Sequence, residues 1–199
     1  MAAHPGIFQA KKKDGSIYYR ASVTYKNKHI SLGSFADEKK AAQAYQDACQ
    51  LLQAETLFLP SDYPDLQRTG VTVEPDDTSA RQPATLPFQK WVILTNYKNN
   101  GLYIKTPIYL RNKYFEYYLS PTDVLLFDID DLFYYSHHSI MRRGNHLFVS
   151  DYGMQVNIAS RYGIKNFAVK DRDYRFINGD DHDLRYANLE IINRYNGVC

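Results

Sequence analysis

Cysteine is nearly absent from this chain. The 199 residues hold only Cys49 and Cys199, too few for a disulfide framework and without zinc-ligand spacing. Long apolar runs are missing too. None approaches the ~18 residues needed to span a bilayer, and the N-terminus lacks the apolar centre of a signal peptide. These absences predict a reducing, cytoplasmic compartment and no membrane partner. Tryptophan occurs once, whereas tyrosine occurs 18 times. Tyrosine is amphipathic, so it can serve a core and a binding surface alike. The hydrophobic share of 44% is enough for a folded core, in one large domain or two small ones.

A strong charge of one sign is also lacking, since the net charge is +2, but the charges are unevenly placed. Residues 1–35 carry Lys11, Lys12, Lys13, Arg20, Lys26 and Lys28 against Asp14 alone. Residues 59–87 carry Asp62, Asp65, Glu74, Asp76 and Asp77 against Arg68 and Arg81. A basic start and an acidic middle suit a local anionic partner.

The patterning predicts an α+β chain in three parts. Over residues 1–58, Ile17, Tyr19, Ala21 and Val23 alternate with Tyr18, Arg20, Ser22 and Thr24, the period of a strand. Asp14-Gly15 and Lys26-Asn27-Lys28 are turn signals on either side. Three strands are predicted, at about 5–11, 17–24 and 29–34. A helix follows with Asp37 as N-cap and Ala41, Ala44, Tyr45, Ala48 and Leu52 on one stripe. Small side chains let that helix lie close on a three-stranded antiparallel sheet, with Tyr45 filling its edge. Residues 59–87 contain Pro60, Pro64, Pro75, Pro83 and Pro87 without periodicity and read as a linker, partly extended. Residues 88–199 read as a second α+β domain. Strands are predicted at 91–94, 102–105, 114–119 and 124–127, with a hairpin turn at Asn99-Asn100-Gly101. A helical stretch is predicted at 130–135 and another hairpin around Leu147 to Gly153. Turn, loop and short helix fill 174–193.

Gly6-Ile7, Tyr19-x-Ala21-x-Val23, Leu32-Gly33-Ser34-Phe35 and Ala41-Ala42-x-Ala44-Tyr45 occur in that order. Over roughly 50 residues this series resembles the APETALA2/ethylene-response-factor-type DNA-binding domain. The resemblance implies that the sheet, rather than the helix, enters the major groove of double-stranded DNA. A twisted β-ribbon fits a groove ~12 Å wide. The DNA-facing residues would be Phe8, Tyr18, Arg20, Ser22, Thr24, His29 and Ser31, with Lys11, Lys12, Lys13, Lys26 and Lys28 on phosphates. Arg20 is the candidate for a bidentate guanine contact. The family's base-reading arginines and tryptophan fall here at Phe8, Thr24, His29 and Ser31, so its sequence preference does not carry over.

Near the end stand Ile177-Asn178-Gly179-Asp180, Asp183, Arg185 and Asn188-Leu189-Glu190. This I-N-G-D…D-x-R…N-L-E string resembles the second half of an HNH homing-endonuclease motif, of the ββα-metal family. Such domains are often joined to the N-terminal type above in mobile-element proteins. Leu119 to Val124 and Asp130-Asp131-Leu132 resemble a stretch preceding the motif. The family's chemistry needs a histidine base, a divalent ion and ligands for it. Here the base position is Phe176, its neighbour is Arg175, an upstream histidine falls at Asn157, and Leu184 stands for an asparagine. An arginine repels a metal. The domain is therefore expected to keep the scaffold without catalysis, with Gly179, Asp180 and Asn188 shaping a loop and no cofactor. The rival is a displaced nuclease site at His182 and Asp183, within Asp180-Asp181-His182-Asp183, holding Mg²⁺ or another divalent ion. His137, His138 and His146 fit no catalytic spacing. Arg194-Tyr195-x-Gly197-Val198 resembles the opening of another copy of the N-terminal domain.

Three functions are open on this basis. The first is a DNA-binding protein without catalysis, a transcription regulator or a domesticated mobile-element protein, in which Arg142, Arg143, Arg175 and Arg185 add phosphate contacts. The second is a metal-dependent endonuclease with an altered site. The third is a protein-interaction module.

Overall fold

A computed structural model describes residues 5–63, 85–144, 146–151, 154–165 and 168–193. The expectations for Pro64, Pro75, Pro83 and most of the acidic stretch, and for Arg194 to Cys199, lie outside the described residues, as does the side chain of Asn157. The chain is α+β and divides into two compact units, Met1–Tyr103 and Ile104–Cys199.

In the first unit, β1 (Ile7–Lys11), β2 (Ile17–Tyr25) and β3 (Lys28–Phe35) form an antiparallel sheet in that order. Helix α1 (Glu38–Gln53) packs on one face. The strands form because β-branched and aromatic residues alternate with polar ones. Asp37 caps α1 as predicted, its carboxylate accepting the Lys39 N–H at 2.9 Å. Ala41, Ala44 and Ala48 are fully buried, so the helix backbone lies close to Ala21, Val23, Ile30 and Leu32 of the sheet. Gly6 needs its missing side chain. Its φ is +75°, and a Cβ there would collide with the Tyr45 ring and the Ser22 carbonyl.

Two details depart from the predicted alternation. Ile17, expected to face the core, is 46% exposed, because it lies at the end of the sheet opposite Lys11. Ser22, expected on the outer face, is buried. The register slips after Ala21, which pairs with Gly33, so that Ser22 pairs with Ser31. On the other side the Ser22 N–H donates to the Gly6 carbonyl at 2.9 Å. A small side chain hemmed in on a central strand does not reach out.

Residues 88–103, expected in the second domain, belong to the first. Residues 91–94 are not a strand. They lie in α2 (Phe88–Asn100), and Gly101 at φ +72° ends that helix instead of making a hairpin turn. Trp91 to Tyr97 are all buried, and a helix buried all round gives the same continuous apolar run as a buried strand. Residues 102–105 form no strand. Both ends of the expected linker are packed rather than extended. Tyr63 donates to the Leu86 carbonyl at 2.7 Å, the Asp47 carboxylate accepts the Thr85 and Leu86 N–H groups, and the Trp91 indole donates to the Leu59 carbonyl. Lys98 caps the other helix: its ammonium donates to the carbonyls of Leu51, Ala54 and Thr56 at 2.7–2.8 Å. A cation there also opposes the negative end of α1, whose own last turn has no basic residue.

Among its described residues, the second unit holds three small antiparallel sheets. They are β4 (Ile108–Leu110), β5 (Tyr114–Tyr118) and β6 (Val124–Asp128); β7 (Ile140–Arg143), β8 (His146–Asp151) and β9 (Met154–Asn157); and β10 (Tyr174–Phe176) with β11 (Leu189–Ile191). Helix α3 (Leu132–Tyr135) follows a 3₁₀ turn. The core is aromatic: Phe115 stacks on Phe127 at 5.3 Å, and Tyr135 lies 4.2 Å from Phe127. Residues 182–184 run parallel to β6, the Leu126 N–H donating to the His182 carbonyl and the Leu184 N–H to the Leu126 carbonyl, each at 2.9 Å.

Candidate nucleic-acid interface

The face of β1–β3 away from α1 carries rows of neighbouring side chains set by the strand pairing. Phe8, Arg20 and Ser34 form one row, Ala10 and Tyr18 the next; Ser22 pairs with Ser31, and Thr24 with His29. Phe8, Arg20, Thr24, His29, Ser31 and Ser34 are exposed and Tyr18 is half-buried. Of the expected outward set, Ser22 alone is hidden. Ser34 was missed by sequence reasoning, because the slip after Ala21 reverses the alternation along β3.

Arg20 is held in place. Its Nη2 and Nε donate to the Tyr18 hydroxyl at 2.7 and 3.2 Å, and its guanidinium lies 5.5 Å from the Tyr18 ring. Two residues apart on a strand, they share a face. A guanidinium fixed this way loses less freedom on binding a planar acceptor pair.

Lys11, Lys12 and Lys13 are all exposed and lead into the β1–β2 turn. The Lys12 N–H donates to the Ser16 carbonyl and the Gly15 N–H to the Lys12 carbonyl. Asp14 accepts the Ser16 hydroxyl at 2.6 Å and its N–H at 2.9 Å, which holds the Asp14 carboxyl below its usual range. The one acid of this segment is thus turned onto its own loop. Lys26 and Lys28 differ. They are exposed, but Lys26 lies over Tyr25 and Tyr97, and Lys28 lies 5.2 Å from the Tyr103 ring. Both are drawn towards the aromatic edge rather than the outer face.

In the second unit the string from Ile177 to Glu190 makes a hydrogen-bonded loop. Asn188 is buried, accepts the Asn178 N–H at 2.8 Å, and donates to the carbonyls of Asp183 and Asp180. Asn178 accepts the Asp180 N–H, Asp180 accepts the His182 N–H, and Gly179 turns the chain at φ +79°. Asp183 is only 1% exposed. Both its oxygens accept from Arg185 at 2.7 Å, and Asn178 donates to it at 3.0 Å. The Arg185 bonds hold the Asp183 carboxyl below its usual range. Buried and saturated, Asp183 does not face a substrate.

Asp180, Asp181 and His182 bring ligand atoms within 4.8 Å of one another. The His182 Nδ1 lies 2.9 Å from Asp181, while Nε2 lies 3.3 Å from Asp123 and 3.3 Å from the Arg142 guanidinium. Arg142 is itself bidentate to Asp123. A divalent ion bound through His182 would leave His146, which lines one cavity with Arg142 and Asp181, as the histidine to take a proton from water. With His182 as base, two exposed carboxylates would remain as ligands, beside a fixed positive charge. The Arg142 guanidinium beside His182 disfavours a divalent ion there.

Phe176 and Leu184, where the resemblance would put a base and an amide, line a cavity of about 480 Å³ whose walls include Ile158 and Leu189 but also Arg142, His146, Lys170 and Asp181. Hydrocarbon stands at those two positions, within a cavity whose other walls are partly charged. Arg175 pairs across the hairpin with Glu190 at 2.6 Å. Arg142, Arg175 and Arg185 are therefore each paired with a carboxylate, and Arg142, Arg143 and Arg175 are all exposed. His137 and His138 bond the Phe133 and Tyr134 carbonyls. The Asp123–Arg142–His182 group had no signal in the sequence, because its members lie far apart along the chain.

Among the described residues, no helix is long and apolar enough to cross a membrane. Comparison with protein-family models, with curated proteins and with solved structures finds no match to this chain.

Proposed function

We propose that this chain binds double-stranded DNA through the outer face of β1–β3 laid in the major groove. Its second unit is a nuclease-like scaffold without catalysis, as in a transcription regulator or a protein domesticated from a mobile element. The observation that carries this reading is Arg20. It is exposed, oriented by Tyr18, and set in a row between Phe8 and Ser34. The three-lysine turn supplies sequence-independent attraction to phosphate, and Arg20 supplies a bidentate partner for guanine O6 and N7.

The test is selection of bound sequences from random duplexes, followed by titration of the selected site. Arg20→Ala is expected to cost about 1–3 kcal/mol and to relax preference at one base position. Lys12→Ala should weaken all sequences alike and lower the salt slope by about 1. Equal losses on every sequence for Arg20→Ala would remove its assigned role. If duplex affinity is absent even at low salt, where phosphate contacts are strongest, the protein-interaction reading replaces this one.

The Asp180–Asp181–His182 group keeps a metal-dependent nuclease as the second reading. Supercoiled plasmid incubated with Mg²⁺ or Mn²⁺ is expected to stay intact. Metal-dependent nicking that disappears in His182→Ala would overturn the non-catalytic assignment.

A further inference from the structure

Phe8 is out of place on a solvated sheet face. Its side chain is 53% exposed, and it stands directly beside Arg20 in the β1–β2 pairing. The other described members of the outward rows are Ala10, Tyr18, Ser22, Thr24, His29, Ser31 and Ser34, so Phe8 is their one large hydrocarbon side chain. Neighbouring strands are about 4.8 Å apart, and successive bases about 3.4 Å. Side chains of one row therefore reach the same base pair or adjacent ones. The strand pairing sets Phe8 directly across from Arg20, and the Tyr18 hydroxyl, on the same face, accepts from the Arg20 guanidinium and limits its freedom. On the floor of the major groove, guanine offers two acceptors to a guanidinium, while the apolar group open to a phenyl ring is a pyrimidine 5-methyl.

We infer that Phe8 and Arg20 read DNA as a pair, Phe8 packing on a pyrimidine 5-methyl group within one base step of the guanine bound by Arg20. This rests on the DNA-binding reading above. The methyl group is that of thymine or of 5-methylcytosine, which present the same chemistry to the ring.

The experiment uses the full chain and a duplex recovered by selection. Thymine within one step of the Arg20-dependent guanine is replaced by deoxyuridine, which removes only the methyl. In a second arm, cytosine at that position is replaced by 5-methylcytosine. Burial of one methyl group corresponds to about a fourfold change in affinity. The inference expects a loss of that size in the first arm, a gain of that size in the second, or both. The arm that responds tells which base is the natural source. Phe8→Ala, an exposed substitution whose folding is checked by circular dichroism, is expected to abolish the methyl dependence and to keep the guanine preference. Equal affinity with and without the methyl in both arms, or methyl dependence that persists in Phe8→Ala, overturns the pairing. If Arg20-dependent guanine selectivity remains in that case, the DNA-binding reading stands without it. Absence of any duplex affinity at low salt overturns both.

Discussion

A fragment ending at residue 58 is expected to stay unfolded, whereas one ending at Tyr103 folds and melts cooperatively. The sheet and α1 alone look complete in sequence, yet the core they share also contains Leu86, Trp91, Leu94 and Tyr97, each at most 6% exposed. Burial of four such side chains stabilises by roughly 6–12 kcal/mol, at about 1.5–3 kcal/mol each. A core of fewer than 70 residues supplies only about 3–5 kcal/mol. Removal of α2 also strips the Lys98 ammonium from the last carbonyls of α1. Circular dichroism and thermal melts of the two fragments check this. A cooperative transition in the shorter fragment would show that α2 is an accessory to the sheet rather than part of its core. Duplex binding should accompany the longer fragment.

Asp183→Asn is expected to destabilise the second unit by about 3 kcal/mol without weakening duplex binding by the first. Breaking a buried ion pair costs about 3–5 kcal/mol. The lower end applies because the Arg185 side chain is 36% exposed and recovers water when its partner is lost. The substitution also disturbs the Asn178 contact that closes the loop. The same pair gives a pH dependence. Asp183 is depressed in the folded state by the Arg185 hydrogen bonds. Its contribution is complete above the unfolded carboxyl value of about 3.9 and is lost as the pH falls through the lower folded value. Denaturant midpoints of the native chain should therefore drop in acid more steeply than those of Asp183→Asn. Parallel curves would mean that Asp183 is not a coupled group. A loss of duplex binding in Asp183→Asn would mean that the second unit carries part of the interface.

The N-terminal sheet and α1 were legible because their signals are local. Asp37 caps within two residues of itself, and the alanine stripe repeats at the helical period. The lysine turn was signalled by Asp14-Gly15, and alternation put Arg20 on one face with Tyr18 and Thr24. That alternation failed at Ser22, where the register slip depends on what β3 does. It failed at Ile17 because the end of a sheet is not covered. Helix α2 was misread because burial on every side removes the periodicity that separates helix from strand.

Residue chemistry by itself determined much about the C-terminal half. Phe176 cannot accept a proton, Leu184 cannot bind a metal, and Gly179 and Asn188 belong to a turn. The α+β class, the N-terminal sheet with its helix, and the basic character of that end were also set by residue type and short-range spacing. Only the tertiary structure decided which charges are free. Arg175 and Arg185 look like Arg20 in sequence, but they pair with the carboxylates of Glu190 and Asp183, whereas Arg20 meets a neutral hydroxyl. It also decided where the first core ends, because Trp91 and Lys98 meet residues more than thirty positions away. Pairings across such distances depend on how elements pack, which local spacing does not encode.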